Sequence, residues 1–243
     1  MQRESTKLTI KGFIRNSLLD WDGKIVSTLY TPNCNFRCPF CQNAELVLTP
    51  EKLETIPLEV IGEYLKNNKG WVDGVCITGG EPCMYKDLPE FIREIRKLNM
   101  LIKLDTNGGF PVLLQDIIEK KLVDYVALDI KAPLDLASYS KVVGVNNPKV
   151  LENVKDSIKL IMDSGIDYEF RTTVVPTLHE EKDIEQIAKF IKGAKKYALQ
   201  NFSTQGEILD PKFKDIKPYH IEILYRIQRI VSVYVKKCVV RGS

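Results

Sequence analysis

The chain has 243 residues, 44% of them hydrophobic, with 35 basic against 32 acidic side chains for a net charge of +3. No apolar run approaches the ~18 residues of a membrane span, and so small a charge surplus gives no case for nucleic acid as a partner. A core of this size needs no disulfides, and MQRESTKLTIKG at the start lacks the apolar stretch of a signal peptide. The expectation is a cytoplasmic protein without membrane contact, whose clustered cysteines serve metal binding or catalysis rather than stapling.

In chain order, short apolar runs alternate with helical patterns. KIVSTLY (24–30) reads as a strand, and PLEVIGEYL (57–65) follows with a helical period and a proline suited to a first turn. VDGVCIT (72–78) is the next strand. Asp87 with Glu90 then forms a capping pair for a helix whose apolar face is Leu88, Phe91, Ile92 and Ile95. LIKL (101–104) is a strand, and Val112 to Ile118 open a helix. YVALDI (125–130) is a strand, and residues 148–163 are helical by the spacing of Leu151, Val154, Ile158 and Ile161. YEFRTTVV (168–175), a helix near 181–192, YALQNF (197–202) and a helix near 219–230 complete the alternation. VSVYVKKCVV (231–240) reads as one more strand, at an edge.

Six strand–helix units imply a parallel sheet wound in one hand, and six are too few to close the usual eight-stranded barrel. The expected fold class is therefore α/β, an open partial (β/α)6 TIM-type barrel of parallel strands. No repeat, low-complexity tract or linker divides the chain, so a single domain over 1–243 is expected. Its core would span 24–202, with an N-terminal extension at 1–23 and a C-terminal helix and strand at 203–243. CNFRCPFC follows the first of these strands, TGGEP the second and DTNGG the third, while DIK ends the fourth. In a parallel barrel those strand ends share the face on which active sites form.

Cys34, Cys38 and Cys41 fall within eight residues, with no fourth cysteine or histidine near them. Structural zinc sites are closed by four ligands, whereas Cys76 and Cys83 lie well downstream and His179 and His220 far away. A zinc-binding adaptor is the non-enzymatic alternative. Three thiolates on a short loop suit an iron–sulfur cluster instead, each holding one iron of a cubane and leaving a fourth open. TGGEP alone is a turn, Asp105 alone a helix cap, and Asp129 with Lys131 a surface ion pair. Residues two apart on a strand point to one face, so Asp129 and Lys131 can both look into the pocket, where they suit a zwitterionic ligand. Arg171, on the fifth strand, can face it too. Cys76 and Cys238 read as buried apolar thiols, and His179 and His220 as surface or cap residues.

The C-x3-C-x2-C spacing, with Phe40 just before the last cysteine, resembles the cluster loop of the radical S-adenosylmethionine (SAM) superfamily. That resemblance implies the radical SAM fold and a 4Fe-4S cluster on Cys34, Cys38 and Cys41, with S-adenosyl-L-methionine completing the open iron through its amino and carboxylate groups. Phe40 would lie near the adenine. TGGEP resembles the family's GGE motif, which would set Gly79, Gly80 and Glu81 along the methionine end, the glycines permitting close approach of backbone to ligand. DTNG together with D-x-K resembles the glycyl-radical-enzyme activases. By that likeness Asn43, Asp105, Thr106, Asp129 and Lys131 would contact SAM or a monovalent cation beside its carboxylate, with Asp129 and Lys131 also the candidate catalytic residues. Arg171 would meet SAM or the substrate backbone. Gln200 would reach the SAM ribose, where pyruvate formate-lyase activases carry a histidine, and Gln42 stands where activases often carry another.

KGFIRNSLLDWDGK followed by TPNCNFRCPFCQNAELV is similar to the anaerobic ribonucleoside-triphosphate reductase activating proteins. The likeness implies an oxidoreductase that cleaves SAM reductively to a 5′-deoxyadenosyl radical and installs a glycyl radical on a partner enzyme, with ferredoxin or flavodoxin as electron donor. The enzymatic alternative is a radical SAM enzyme acting on a small molecule, similar to 7-carboxy-7-deazaguanine synthase.

Overall fold

The computed structural model describes residues 7–242; residues 1–6, part of the expected N-terminal extension, and residue 243 lie outside the described residues. The strands are β1 (Gly12–Ser17), β2 (Val26–Thr31), β3 (Gly74–Gly79), β4 (Leu101–Thr106), β5 (Tyr125–Asp129), β6 (Asp167–Val174), β7 (Tyr197–Asn201) and β8 (Cys238–Arg241). The helices are α1 (Ala44–Leu48), α2 (Leu58–Asn67), α3 (Leu88–Arg96), α4 (Pro111–Glu119), α5 (Leu136–Val143), α6 (Pro148–Asp163), α7 (Glu181–Phe190) and α8 (Ile221–Val231). In the sheet the strands follow chain order from β1 to β8, which leaves it open at both ends. The expected α/β alternation of parallel strands is present, with one unexpected strand before it and the expected terminal strand, shortened, after it.

The chain forms two compact units. The first holds residues up to 35 together with 45–106 and 112–126. Here β1 pairs antiparallel with β2, Gly12 opposite Tyr30, and β2, β3 and β4 run parallel. Leu29, Ile77 and Leu104 on these strands are fully buried, each side chain contributing about 1.5–3 kcal/mol by leaving water. The N-terminal strand is an addition to the sequence reading, which left this stretch as an extension. The expected Asp87–Glu90 cap does not form either. Asp87 turns its carboxylate to the Leu8 N–H at 3.0 and 3.2 Å, so the segment preceding β1 claims the acceptor that α3 would have used.

The second unit holds residues 36–44, 107–111 and 127 onward. In it β6, β7 and β8 run parallel. α6 starts where the Asn147 side chain accepts the Lys149 N–H, with Pro148 in the first turn. α7 starts at a capping box between Glu180 and Asp183. Glu169 on β6 is buried and takes a forked pair of hydrogen bonds from Arg241, both 2.8 Å, plus an ion pair to Lys196 at 2.8 Å. That anchors the terminal strand. Of the expected strand over 231–240, only the end is extended. Val231 closes α8, and Tyr234 and Lys236 spend their backbone on Gly193 and Ala194 at the end of the preceding helical segment, through bonds of 2.8 and 2.9 Å. Tertiary partners there override the β propensity of VSVYV.

Among the described residues no helix is long and apolar enough to cross a membrane.

Candidate active site

In the first unit the GGE stretch grips the approach to the cysteine loop. β2 ends at Thr31, and Asn33 follows in the left-handed region at φ +59°, a conformation asparagine tolerates better than most residues. Gly80 N–H donates to Thr31 O and Glu81 N–H to Asn33 O, each at 2.8 Å. A Cβ on Gly80 would fall 1.7 Å from Asn33 O, and one on Gly79, at φ +116°, 2.4 Å from the Thr31 backbone. Both glycines are thus required by backbone meeting backbone, a demand the sequence reading had assigned to ligand approach.

Glu81 itself is buried, and its Oε1 accepts the Cys83 N–H at 3.0 Å and the Thr106 hydroxyl at 2.7 Å. So Glu81 and Thr106, predicted separately, are joined. Burial and then the Glu81 charge push the Cys83 thiol up, which keeps it protonated and unreactive. Asp105 pairs at 2.7 Å with Lys103, a fully buried lysine whose ammonium also donates to Asp20 O at 2.6 Å. The sequence reading passed over Lys103. Its signal is a lysine inside an apolar strand, two residues before an aspartate and therefore on the same face.

In the second unit the far half of the cysteine loop is pinned by backbone. Arg37 N–H donates to Val143 O at 2.8 Å, Leu209 N–H to Cys41 O and Asp210 N–H to Pro39 O at 2.9 Å, and Cys41 N–H closes a turn onto Cys38 O at 3.0 Å. Gln42 reaches Ser203 O at 3.0 Å. Phe40 and Cys38 are buried, whereas Cys41 and Asn43 are half-buried. None of the three loop cysteines is in a disulfide. Among the described residues no three of His, Cys, Asp and Glu gather tightly enough to hold a single metal ion. A cubane asks for something different, because each of its thiolates binds a separate iron and the ligands stand apart.

Asp129, at the end of β5, sits between two cations. Its Oδ1 takes the Arg171 Nε–H at 2.6 Å and its Oδ2 the Lys131 ammonium at 2.9 Å. Burial raises its pKa, but Arg171 and Lys131 overcome that and hold the carboxyl well below the usual range. Burial likewise disfavours the Lys131 charge, yet Asp129 keeps that lysine protonated. The trio carries one net positive charge, which fits it to receive an anionic group such as a carboxylate. Gln200 lies on β7 in register with Thr173 and Arg241.

His179 is a correction. The expectation was a surface or cap residue, but it is 1% exposed. Its Nδ1 accepts the Val175 N–H at 3.0 Å, which leaves the proton on Nε2 for the Lys131 carbonyl at 2.7 Å. Burial lowers its pKa and keeps it neutral. His220 is exposed at the N-cap position of α8. Cys76 is fully buried, as expected, whereas Cys238 is only half-buried because it lies on the terminal edge strand.

A Methanocaldococcus jannaschii protein named "Putative glycyl-radical enzyme activating enzyme" is 31% identical over 242 residues, covering 97% of this chain and 96% of that one. A Helicobacter pylori GTP 3′,8-cyclase is 28% identical over 159 residues, covering 64% of this chain and 48% of the cyclase. Among solved structures, Streptococcus suis SuiB bound to S-adenosylmethionine superposes with a TM-score of 0.67 at 19% identity, over 86% of this chain and 48% of SuiB, and so shares the fold. The chain thus spans about half the length of the cyclase and of SuiB. The family model for the radical SAM superfamily matches residues 28–192, from β2 through α7, and takes in all three loop cysteines and the Asp129–Lys131 pair. With that span matched and a 4Fe-4S cluster and SAM as its cofactors, the chain belongs to the radical SAM superfamily and is an enzyme of radical chemistry.

Proposed function

We propose that this enzyme activates a glycyl radical enzyme, with an anaerobic ribonucleoside-triphosphate reductase as the first partner to test. The observation that carries the reading is the breadth of the match: the activating-enzyme relative aligns over nearly all of both chains, whereas the cyclase aligns over less than half its own length. Cys34, Cys38 and Cys41 would hold the cluster, and Glu81 and Thr106 of the first unit and Asp129, Lys131 and Arg171 of the second are each candidate SAM contacts. When bound, the cluster and SAM would supply radical chemistry, driven by one electron from ferredoxin or flavodoxin, for removing the α-hydrogen of a partner glycine.

The chain's own residues orient this chemistry. In the second unit Lys131 and Arg171, held by Asp129, would attract a carboxylate, and in the first unit the buried Glu81, supported by Thr106, would accept from an amino group. Asp105 lies beside the methionine end, with Lys103 balancing its charge inside the unit, and it is the residue that would share a monovalent cation with SAM. Phe40 would lie near the adenine, Asn43 would contact SAM or a monovalent cation beside its carboxylate, and Gln200 would reach the ribose.

The experiment is to mix reduced, cluster-loaded protein with SAM and each candidate glycyl radical enzyme, then record EPR spectra. A glycyl doublet with one partner supports the reading. 5′-Deoxyadenosine without a doublet from any partner favours the second reading, a small-molecule substrate, which the GTP 3′,8-cyclase matches support.

A further inference from the structure

The connection from β7 to α8 runs over 202–220, with a single 3-10 turn at Pro211–Asp215. Connections longer than about 12–15 residues are uncommon in compact proteins, and the ordered ones are usually functional. This one is tied at its waist. The Asn201 side-chain amide donates to Tyr219 O at 2.9 Å, and the Tyr219 hydroxyl donates to His179 O at 3.0 Å. The two ends therefore meet, in the manner of an Ω-loop.

The far part of this loop lies along the cysteine loop, within the second unit. Leu209 and Asp210 give their N–H groups to Cys41 O and Pro39 O, both at 2.9 Å. From the other side the Gln42 amide donates to Ser203 O at 3.0 Å and to Gln205 O at 3.4 Å. Between these contacts the chain is loosely packed. Gln205, Gly206 and Glu207 are exposed, and a Cβ on Gly206, at φ +78°, would meet nothing within 4 Å. Phe202 and Ile208 are buried on either side of that exposed run. Firm ends around a stretch with little buried apolar surface are what local opening requires.

We propose that residues 203–210 form a cover that opens to admit the iron–sulfur cluster and closes beside Cys41 once it is loaded, with the Gln42 side chain as its latch. The proposal rests on the reading that Cys41 is an iron ligand. Opening breaks the bonds to Pro39, Cys41 and Gln42 and regains chain entropy, while the Asn201–Tyr219 waist stays tied. The open state is therefore minor, yet it is reached without unfolding the unit. Loading favours the closed state, because a ligated Cys41 holds the acceptors of Leu209 and Asp210 in place.

The test combines amide hydrogen exchange with timed iron extraction by bathophenanthroline under anaerobic conditions, on wild type and Gln42→Ala. Removing the latch should raise the open-to-closed ratio about fivefold, the worth of an ordinary net hydrogen bond. The Leu209 and Asp210 amides should then exchange about fivefold faster, and iron should leave about fivefold faster. Iron and sulfide content and the exchange of β6 amides should stay at the wild-type level. In wild type, cluster loading should slow the Leu209 and Asp210 amides. If those two amides exchange as slowly as buried β6 amides in the unloaded protein, the segment moves only with the whole unit and the proposal falls. It falls equally if Gln42→Ala frees the amides and leaves iron release unchanged. Should Gln42→Ala fail to load, Gln42→Glu keeps the length, loses the donor and takes its place in both measurements. If neither loads, the wild-type comparison decides, and amides indifferent to loading overturn the proposal. Cys41→Ala that still binds four irons would show the ligand reading to be wrong, a result separable from all of these.

Discussion

Gly80 and Asn33 meet backbone to backbone, so closely that a Cβ on the glycine would sit 1.7 Å from the asparagine carbonyl oxygen. No rotamer change relieves that contact, because both partners are main chain. Gly80→Ala should push the end of β2 away from β3, costing about 2–3 kcal/mol, and cluster content after reconstitution should fall several-fold. Iron and sulfide assays with thermal melts check both.

Gly144 and Gly193 make a controlled pair. Each holds a positive φ, +68° and +88°, but a Cβ on Gly193 meets nothing within 4 Å, whereas one on Gly144 meets the cysteine loop. Gly193→Ala should cost only the left-handed strain of about 1 kcal/mol and load its cluster normally. Gly144→Ala should lose more stability and load poorly. Equal loading by the two variants would mean that α5 does not seat the loop.

Asp129→Asn would leave Arg171 and Lys131 facing each other without their shared carboxylate. Because these side chains are only 11–24% exposed, the loss should be about 2–4 kcal/mol in urea unfolding. SAM affinity, measured by equilibrium dialysis, should drop at least about tenfold, since the two cations no longer sit where the carboxylate held them. Arg171→Met should weaken SAM binding less than Lys131→Met, because Lys131 is also fixed at its backbone by His179.

His179 gives the protein a pH dependence with a defined sign. Its folded pKa lies below the unfolded value, chiefly through burial, with the hydrogen bond to the Lys131 carbonyl and then Asp183 opposing it and the Lys131 and Lys141 charges adding to it. The unfolded chain therefore binds the extra proton, and stability is complete above about pH 6.5 and lost as the pH falls below it, by up to about 1.4 kcal/mol per pH unit. His179→Gln should flatten that slope, and urea midpoints measured on both proteins from about pH 7.5 down to about pH 5 read the difference.

Much of this site was legible because it is local. Three thiols within eight residues need no tertiary information to be read as one ligand loop. Asp129 and Lys131 are two apart, which led to the expectation that they share a face, and they do pair, although β5 ends at Asp129 and Lys131 lies just beyond it. Lys103 and Asp105 obey the same rule and were readable on it, yet a single lysine in LIKL drew no notice beside the more distinctive DTNGG. His179 was misread for a different reason. Nothing in VPTLHEEK reports that the turn after β6 folds inward to meet the Lys131 carbonyl, 48 positions away in the chain.

By itself, then, the sequence determined the alternating α/β architecture, the cysteine loop and the residue types gathered at the strand ends. These follow from spacings of two to eight residues and from the period of each element. Tertiary structure decided the partnerships: Glu81 with Thr106, Asp129 with Arg171, His179 with Lys131, Gly80 against Asn33, and Leu209 and Asp210 along the loop that holds Cys41. Each depends on strand register and on how a loop leaves its strand. Both are settled by which surfaces bury together, a quantity that no local window contains.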